Sequence, residues 1–451
     1  LHKNHNMTGY ARSIEVVQLS CWDDKDPFSD LQYWIEECSK PSCDRSFDRF
    51  RLEVQPMDIT RPLLDLMIVL LNLVPQEDPD CQDAIGEERR WMEVEFNNCN
   101  FAQRDISNYH VEECDNCTLD DVRRLFSALS HQALNLSINQ SPAILSSFLA
   151  ACPQEQFLVN CLKIDLYESL DELQYGILGG MIGRSVHLRK LELDVAFTAG
   201  SEQLLAGLAS ALQLQDLSIT DHVGYLSRDH QLDLGELLVG ENGRNGPLIQ
   251  LLQNPQNQLR KLSIVYLGLK DHHLITIFEM IPNSKIEDLD FSDNLIQFPG
   301  MLEFANLLPK MHSLKRVVFH QHDYYSDNSI AVSSEVGQAL LDGLTANTRI
   351  ETMEGIARMP QAPLLKNLIA LNRAGRQILE SSQPIPDGLW PIFLERAWRS
   401  TFRTNCSMIQ YLNQRRNAVP SARADVIFYF LQHCPRILSS RMCKGQHESI
   451  K

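Results

Sequence analysis

The chain has 451 residues, 44% of them apolar, and a formal net charge of −17. That is apolar material enough for a continuous core, and the balance is too acidic for the whole molecule to coat nucleic acid, which needs clustered Lys and Arg. The twelve cysteines follow no disulfide-framework spacing, which excludes a small disulfide-stapled secreted module.

The thiols are therefore expected to be reduced, in a cytoplasmic protein with a nuclear location left open. The sequons at Asn116, Asn135, Asn139 and Asn405 then carry no consequence. The longest apolar run, Leu63 to Val74, contains Asp65 and Asn72. It is shorter than the roughly 20 residues a membrane span needs, so it predicts a buried helix. No signal-peptide core opens the chain. Its first residue is Leu rather than Met, which leaves an N-terminal targeting segment open. Charge is uneven: residues 360–451 hold 13 Lys and Arg against 5 Asp and Glu, a composition boundary.

One phrase recurs along the chain, with apolar residues at its first, fourth and sixth positions. Ile14, Val17 and Leu19 fit it, as do Phe47, Phe50 and Leu52, then Trp91, Val94 and Phe96. Leu134 and Leu136 fit two points; Val159, Leu162 and Ile164 fit all three. The clearest copies are Leu188-Arg-Lys-Leu191-Glu-Leu193, Leu214-Gln-Asp-Leu217-Ser-Ile219, Leu259-Arg-Lys-Leu262-Ser-Ile264, Ile286-Glu-Asp-Leu289-Asp-Phe291 and Leu314-Lys-Arg-Val317-Val-Phe319, with Ile350 and Met353 closing the series. The short spacings between middle residues, 26 to 29, match a strand-plus-helix repeat. Alternation such as Leu191-Glu-Leu193 is strand periodicity. Ser201 to Leu212 then carries an amphipathic helical face. Asn294, three residues after Phe291, is placed to bond neighbouring backbone. His222 to Gln258, Asp323 to Ser334, Pro75 to Glu88 and Asn97 to Asn116 read as loops rich in polar and turn residues. After Ile356 the pattern becomes helical, with helices predicted over Leu364 to Leu379, Asp387 to Trp398 and Ser421 to Cys434.

The phrase is that of leucine-rich repeats. On it the chain resembles ribonuclease-inhibitor-like leucine-rich-repeat proteins over roughly Ile14 to Ile356. Leu371-Asn-Arg-Ala-Gly-Arg376, Leu389-Trp-Pro391 with Leu394-Glu-Arg-Ala397, and Asp425-Val-Ile-Phe-Tyr-Phe-Leu431 add a narrower likeness to uncharacterised algal leucine-rich-repeat proteins with a helical C-terminal extension. The resemblance implies protein–protein interaction and brings no chemistry with it. Ribonuclease inhibitors are richer in cysteine and more regular, so a ribonuclease partner is not implied. The expected fold is α/β: a curved leucine-rich-repeat solenoid over residues 10–358 with about ten or eleven irregular repeats. Parallel strands would line its concave face and helices its convex face. A helical C-terminal cap or extension would follow over 359–438, and a disordered tail over 439–451.

Candidate chemistry is thin. Gly176 to Ser185 has the wrong glycine spacing for a phosphate loop and Arg184 where Lys is needed, so its small residues are expected to let two helices approach. Cys114 and Cys117, with His110 and Cys99, lack the second ligand pair of a structural zinc site. His320, His322 and Asp323 do not converge if they leave a strand end, and His272-His273 reads as polar helix surface. No catalytic residues, cofactor or metal are therefore assigned.

The strand face says more. Position 3 of the phrase reads Lys190, Asp216, Lys261, Asp288 and Arg316, a ladder of alternating charge worth about 0–1 kcal/mol per exposed pair. Position 7 places Asp165 beside Asp194, like charges that repel, and position 5 adds Asp290. Asp165, Glu192, Asp194, Asp216 and Asp290 are thus the candidate partner-binding residues. They suit a protein partner with a basic surface rather than nucleic acid or membrane; the oligomeric state is open. The expected function is a non-catalytic interaction scaffold. The rival readings are a GTPase-activating regulator using a loop arginine such as Arg228 or Arg244, and an adaptor whose C-terminal helices recruit machinery such as a ubiquitin ligase.

Overall fold

The computed structural model describes residues 14–19, 27–38, 49–54, 58–59, 61–73, 91–97, 100–101, 120–121, 123–125, 134–151, 159–198, 200–221, 233–240, 245–320 and 333–377. The chain divides into two compact units. One is Leu1–Leu259 with Ile264–Leu267, and the other is Arg260–Ser263 with Gly268–Lys451.

Among the described residues of the first unit the apolar phrase falls on or just before strands, and helices stand between them. Seven strands pair in parallel: β1 (Ile14–Leu19), β2 (Arg49–Val54), β4 (Trp91–Asn97), β6 (Leu134–Asn139), β7 (Val159–Ser169), β8 (Lys190–Ala196) and β9 (Asp216–Thr220). Two short strands, β3 (Asp58–Ile59) and β5 (Asn100–Phe101), pair separately. Parallel strands need crossover connections, and helices supply them. Arg61–Leu73 is one, with Leu63, Leu64, Met67, Ile68, Leu70 and Leu71 buried. That is the buried helix expected of the long apolar run. Among the described residues no helix is long and apolar enough to cross a membrane.

The register corrects two readings of the phrase. Val17 pairs with Leu52 and Val94 with Leu136, so the middle apolar residues are Leu52 and Leu136, not Phe50 and Leu134. A strand repeats its facing every two residues, so a slip of two leaves the same side inward and hydrophobic alternation cannot detect it.

The glycine-rich stretch is a helix, Glu172–Arg184, lying against the helix Ser201–Leu208. A Cβ on Gly179 would overlap the Gln203 carbonyl, and one on Gly207 would overlap the Gly179 carbonyl. Close helix approach accounts for these residues. The interval read as a loop before Leu259 contains two short helices, Leu234–Val239 and Pro247–Gln253. Asp233 caps the first through the Glu236 amide at 3.2 Å, and Pro247 opens the second at a position where a missing N–H costs nothing. Among its described residues there is no strand.

The second unit repeats the plan. Parallel strands β10 (Lys261–Val265), whose first three residues belong to this unit, β11 (Asp288–Asp290), β12 (Arg316–Val318) and β13 (Thr352–Glu354) pair in order. Helices Asp271–Met280, Phe298–Leu307, Ser334–Ala346 and Ala362–Ala374 alternate with them or follow. Phe278, Phe291 and Phe304 meet at ring-centroid distances of 4.9 to 5.4 Å, which adds about 0.5–1.5 kcal/mol per pair beyond area burial.

Asparagines tie turns to backbone. Asn294 is buried; it donates to the Phe291 and Ser292 carbonyls at 3.0 and 3.2 Å and accepts from the Leu269 amide at 3.1 Å. Asn347 does the same job at the end of its helix. It donates to the Leu308 and Met311 carbonyls at 2.7 and 3.1 Å and accepts from the Arg349 and Ile350 amides at 2.8 and 3.2 Å.

The helix expected over Leu364 to Leu379 runs from Ala362 to Ala374 and stops at Gly375, which takes φ 104°, a left-handed backbone that glycine adopts without penalty. Leu365 and Ile369 are buried and Leu368 is half-buried. The further predicted helices over Asp387 to Trp398 and Ser421 to Cys434, and the tail 439–451, lie outside the described residues.

Candidate functional site: the open strand faces

Strand alternation sends one set of side chains under the helices and leaves the other set half-buried on the open face. In the first unit that face carries Arg51, Glu53, Glu95, Asn135, Ser137, Asn139, Cys161, Lys163, Asp165, Lys190, Glu192, Asp194, Asp216, Ser218 and Thr220. Cross-strand neighbours on one face sit close enough to interact strongly, so the register decides the electrostatics.

Asp165 and Asp194 are register partners, and Thr220 stands beyond Asp194. Asn139 stands on the other side of Asp165. None of these four register positions is a lysine or arginine. Asp165 takes a hydrogen bond from the Gln140 amide side chain at 2.7 Å, and its carbonyl accepts the Gln140 backbone N–H at 2.7 Å. The candidate carboxylates are half-buried rather than fully exposed, which raises the field each projects.

The charged ladder differs from its expected form. Lys190 and Asp216 are register partners, but the Lys190 ammonium binds Glu192 on its own strand at 2.6 Å. Partial burial works against the Lys190 charge. The bond to Glu192, with Asp216 and Cys161 nearby, outweighs it and holds the ammonium above its ordinary pKa. Glu192 is therefore a bound carboxylate. Nearer the chain's start, Arg51 pairs with Glu95, which also accepts from Asn139 at 2.9 Å. Sequence reading missed this network because it placed the phrase of β2 and β6 two residues early.

In the second unit Asp290 lies between Ser263 and Val318 in register. Its side chain accepts the Ser292 amide at 3.0 Å, a local turn bond, so part of its role is structural. Here one expected rung of the ladder, Asp288 with Arg316, forms. Arg316 grips both oxygens of Asp288 at 3.1 and 3.2 Å and reaches Glu354 at 3.1 Å. Burial opposes the guanidinium charge, but Asp288 and Glu354 more than offset it and hold Arg316 above its ordinary value. The other oxygen of Glu354 lies 3.3 Å from His320 Nε2. His322 and Asp323 lie outside the described residues, as do Cys99, His110, Cys114, Cys117, Arg228 and Arg244.

One helix residue needs correction. His273 is fully buried, with Nδ1 accepting the Lys270 amide at 3.3 Å; only His272 is exposed surface. At the third position of a helix a side-chain acceptor can turn back on the free amides before it, which outweighs the polarity that suggested exposure.

These observations define the chain as an α/β protein of parallel strands alternating with helices. No protein-family model matches the chain, and no curated protein matches it.

Proposed function

We propose that the chain is a leucine-rich-repeat scaffold of the ribonuclease-inhibitor-like kind, without catalytic activity, that binds a basic protein partner inside the cell on its concave strand face. The finer architecture belongs to the same proposal: a solenoid of about ten or eleven irregular repeats, closed by a helical cap or extension over 359–438 that includes the helix Ala362–Ala374. Supporting the repeat reading are the recurring phrase, the strand-then-helix order and the bonding of Asn294 to turn backbone at the repeat's asparagine position. Supporting the cap are the buried Leu365 and Ile369 on the helix that follows β13, after which no strand stands among the described residues.

The observation that carries the binding proposal is the register match of Asp165 with Asp194. Like charges opposite each other destabilise a sheet. Side by side on an open face they present an acidic surface to a basic partner, and such charges mainly set the rate of encounter and its salt dependence.

The test compares wild-type bait with a variant carrying Asp165→Lys and Asp194→Lys, and separately with Asp290→Lys. Capture of the partner is expected to fall at least tenfold for the double variant, with the loss masked at high salt. The double variant should melt within about 1 kcal/mol of wild type, the price of the Gln140 bond. Equal capture by all three proteins would refute the acidic-wall reading.

A further inference from the structure

Each repeat of the second unit hands its backbone to the next in one recurring bond pattern. A single carbonyl accepts two successive amides. Arg260 O takes Glu287 N at 2.7 Å and Asp288 N at 3.0 Å. Glu287 O takes Lys315 N at 2.7 Å and Arg316 N at 2.9 Å. Lys315 O takes Glu351 N at 2.8 Å and Thr352 N at 3.1 Å. The next carbonyl in the series is Glu351 O, and no further strand follows β13 among the described residues. Arg373 takes the vacant role: its NH2 nitrogen donates to Glu351 O at 2.7 Å and its Nε at 3.1 Å. Two guanidinium N–H groups reproduce the geometry of two backbone amides.

The neighbouring residues point the same way. Asn372 is buried and donates to the Asn347 and Ile350 carbonyls, at 3.0 Å each, as Asn347 donates to Leu308 and Met311 one repeat earlier. Arg376 is buried and donates to the Leu344 and Thr345 carbonyls at the end of the helix Ser334–Ala346, where a cation also meets the negative end of the helix dipole. Asn372, Arg373 and Arg376 lie within Leu371-Asn-Arg-Ala-Gly-Arg376, a motif with no role in the binding face.

We infer that this motif guards, against a second copy of the chain, the edge of β13 that no described strand pairs. An edge strand presents unfilled amides and carbonyls that template pairing. In β13, Thr352 and Glu354 turn their backbone groups to β12, and Met353 turns its own away. Two such edges brought together about a twofold axis would pair antiparallel and self-complement. Arg373 stands on the first rung of that edge, with its charge and its bulk on the side a second strand would approach. Two arginines brought into one such interface would also repel.

The experiment measures mass against protein concentration for wild type and Arg373→Ala, together with hydrogen exchange over residues 351–355. The alanine variant is expected to rise toward twice the wild-type mass at high concentration, with new concentration-dependent protection at Met353. Arg373→Gln keeps two N–H groups without the charge, so it should associate less than the alanine variant. It also serves as the folded test if alanine proves too unstable. A folded Ala variant that keeps the wild-type mass at every concentration would overturn the inference, as would a Gln variant that does so where Ala does not fold. So would association that leaves Met353 exchange unchanged, since the contact would then lie elsewhere.

Discussion

Gly179→Leu is expected to destabilise the first unit by about 3 kcal/mol or more, because overpacking against backbone has no cheap relief. The obstacle is the Gln203 carbonyl and the Leu204 Cα of the neighbouring helix, and neither can rotate aside as a side chain would. Even Gly179→Ala should lose. Alanine gains about 1 kcal/mol of helix propensity over glycine, but its Cβ meets the same carbonyl. Gly180→Ala supplies the opposite sign on the same helix. Its nearest neighbour would be the Arg184 guanidinium at 3.5 Å, an ordinary contact with a flexible group. That variant should gain up to about 1 kcal/mol. Urea melts of the three proteins check the set, and a destabilising Gly180→Ala would show that propensity does not govern this helix.

Asn347→Ala is expected to cost about 3 kcal/mol or more in the second unit. The side chain is 3% exposed, and its removal strands two carbonyls and two amides, each worth about 1–3 kcal/mol if left dry. Asn347→Asp tests the direction of the bonds. It keeps an acceptor for the Arg349 and Ile350 amides but loses the donor to Leu308 and Met311. At neutral pH it should be as harmful as alanine, since a buried charge faces two carbonyls. Thermal melts decide this, and a variant within about 0.5 kcal/mol of wild type would mean that water replaces the side chain.

Much of this was legible in the residues themselves. The strands from β7 onward follow from the three-point phrase, because buried alternation and short spacing leave one register that fits. Of the earlier strands β1 and β4 were placed in phase, but β2 and β6 were set two residues off, since runs such as Phe50, Leu52 and Val54 alternate continuously and offer no phase mark. Asn294 was readable from its offset, whereas Asn347 was not, because it ends a helix rather than following a strand. The two helices after Asp233 hid behind Gly240, Gly243 and Gly246, which read as turn. Their short apolar faces become meaningful only when packed. The Asp165–Asp194 match required nothing but register. The choice of Glu192 over Asp216 by Lys190 depends on side-chain reach, which spacing alone does not encode. Arg373 was visible only as part of a motif, because its role is to imitate backbone.

A basic partner is expected to meet the strand face of the first unit rather than its helices. A photo-crosslinking residue at Ser218, half-buried on the open face, and another at Glu202, exposed on the helix Ser201–Leu208, place that claim under direct test. In extracts of the native cell, crosslinking from position 218 should yield a basic protein, fade as salt rises, and vanish when Asp165→Lys and Asp194→Lys are added. A partner that crosslinks from position 202 and not from 218, with no dependence on salt, would contradict the account.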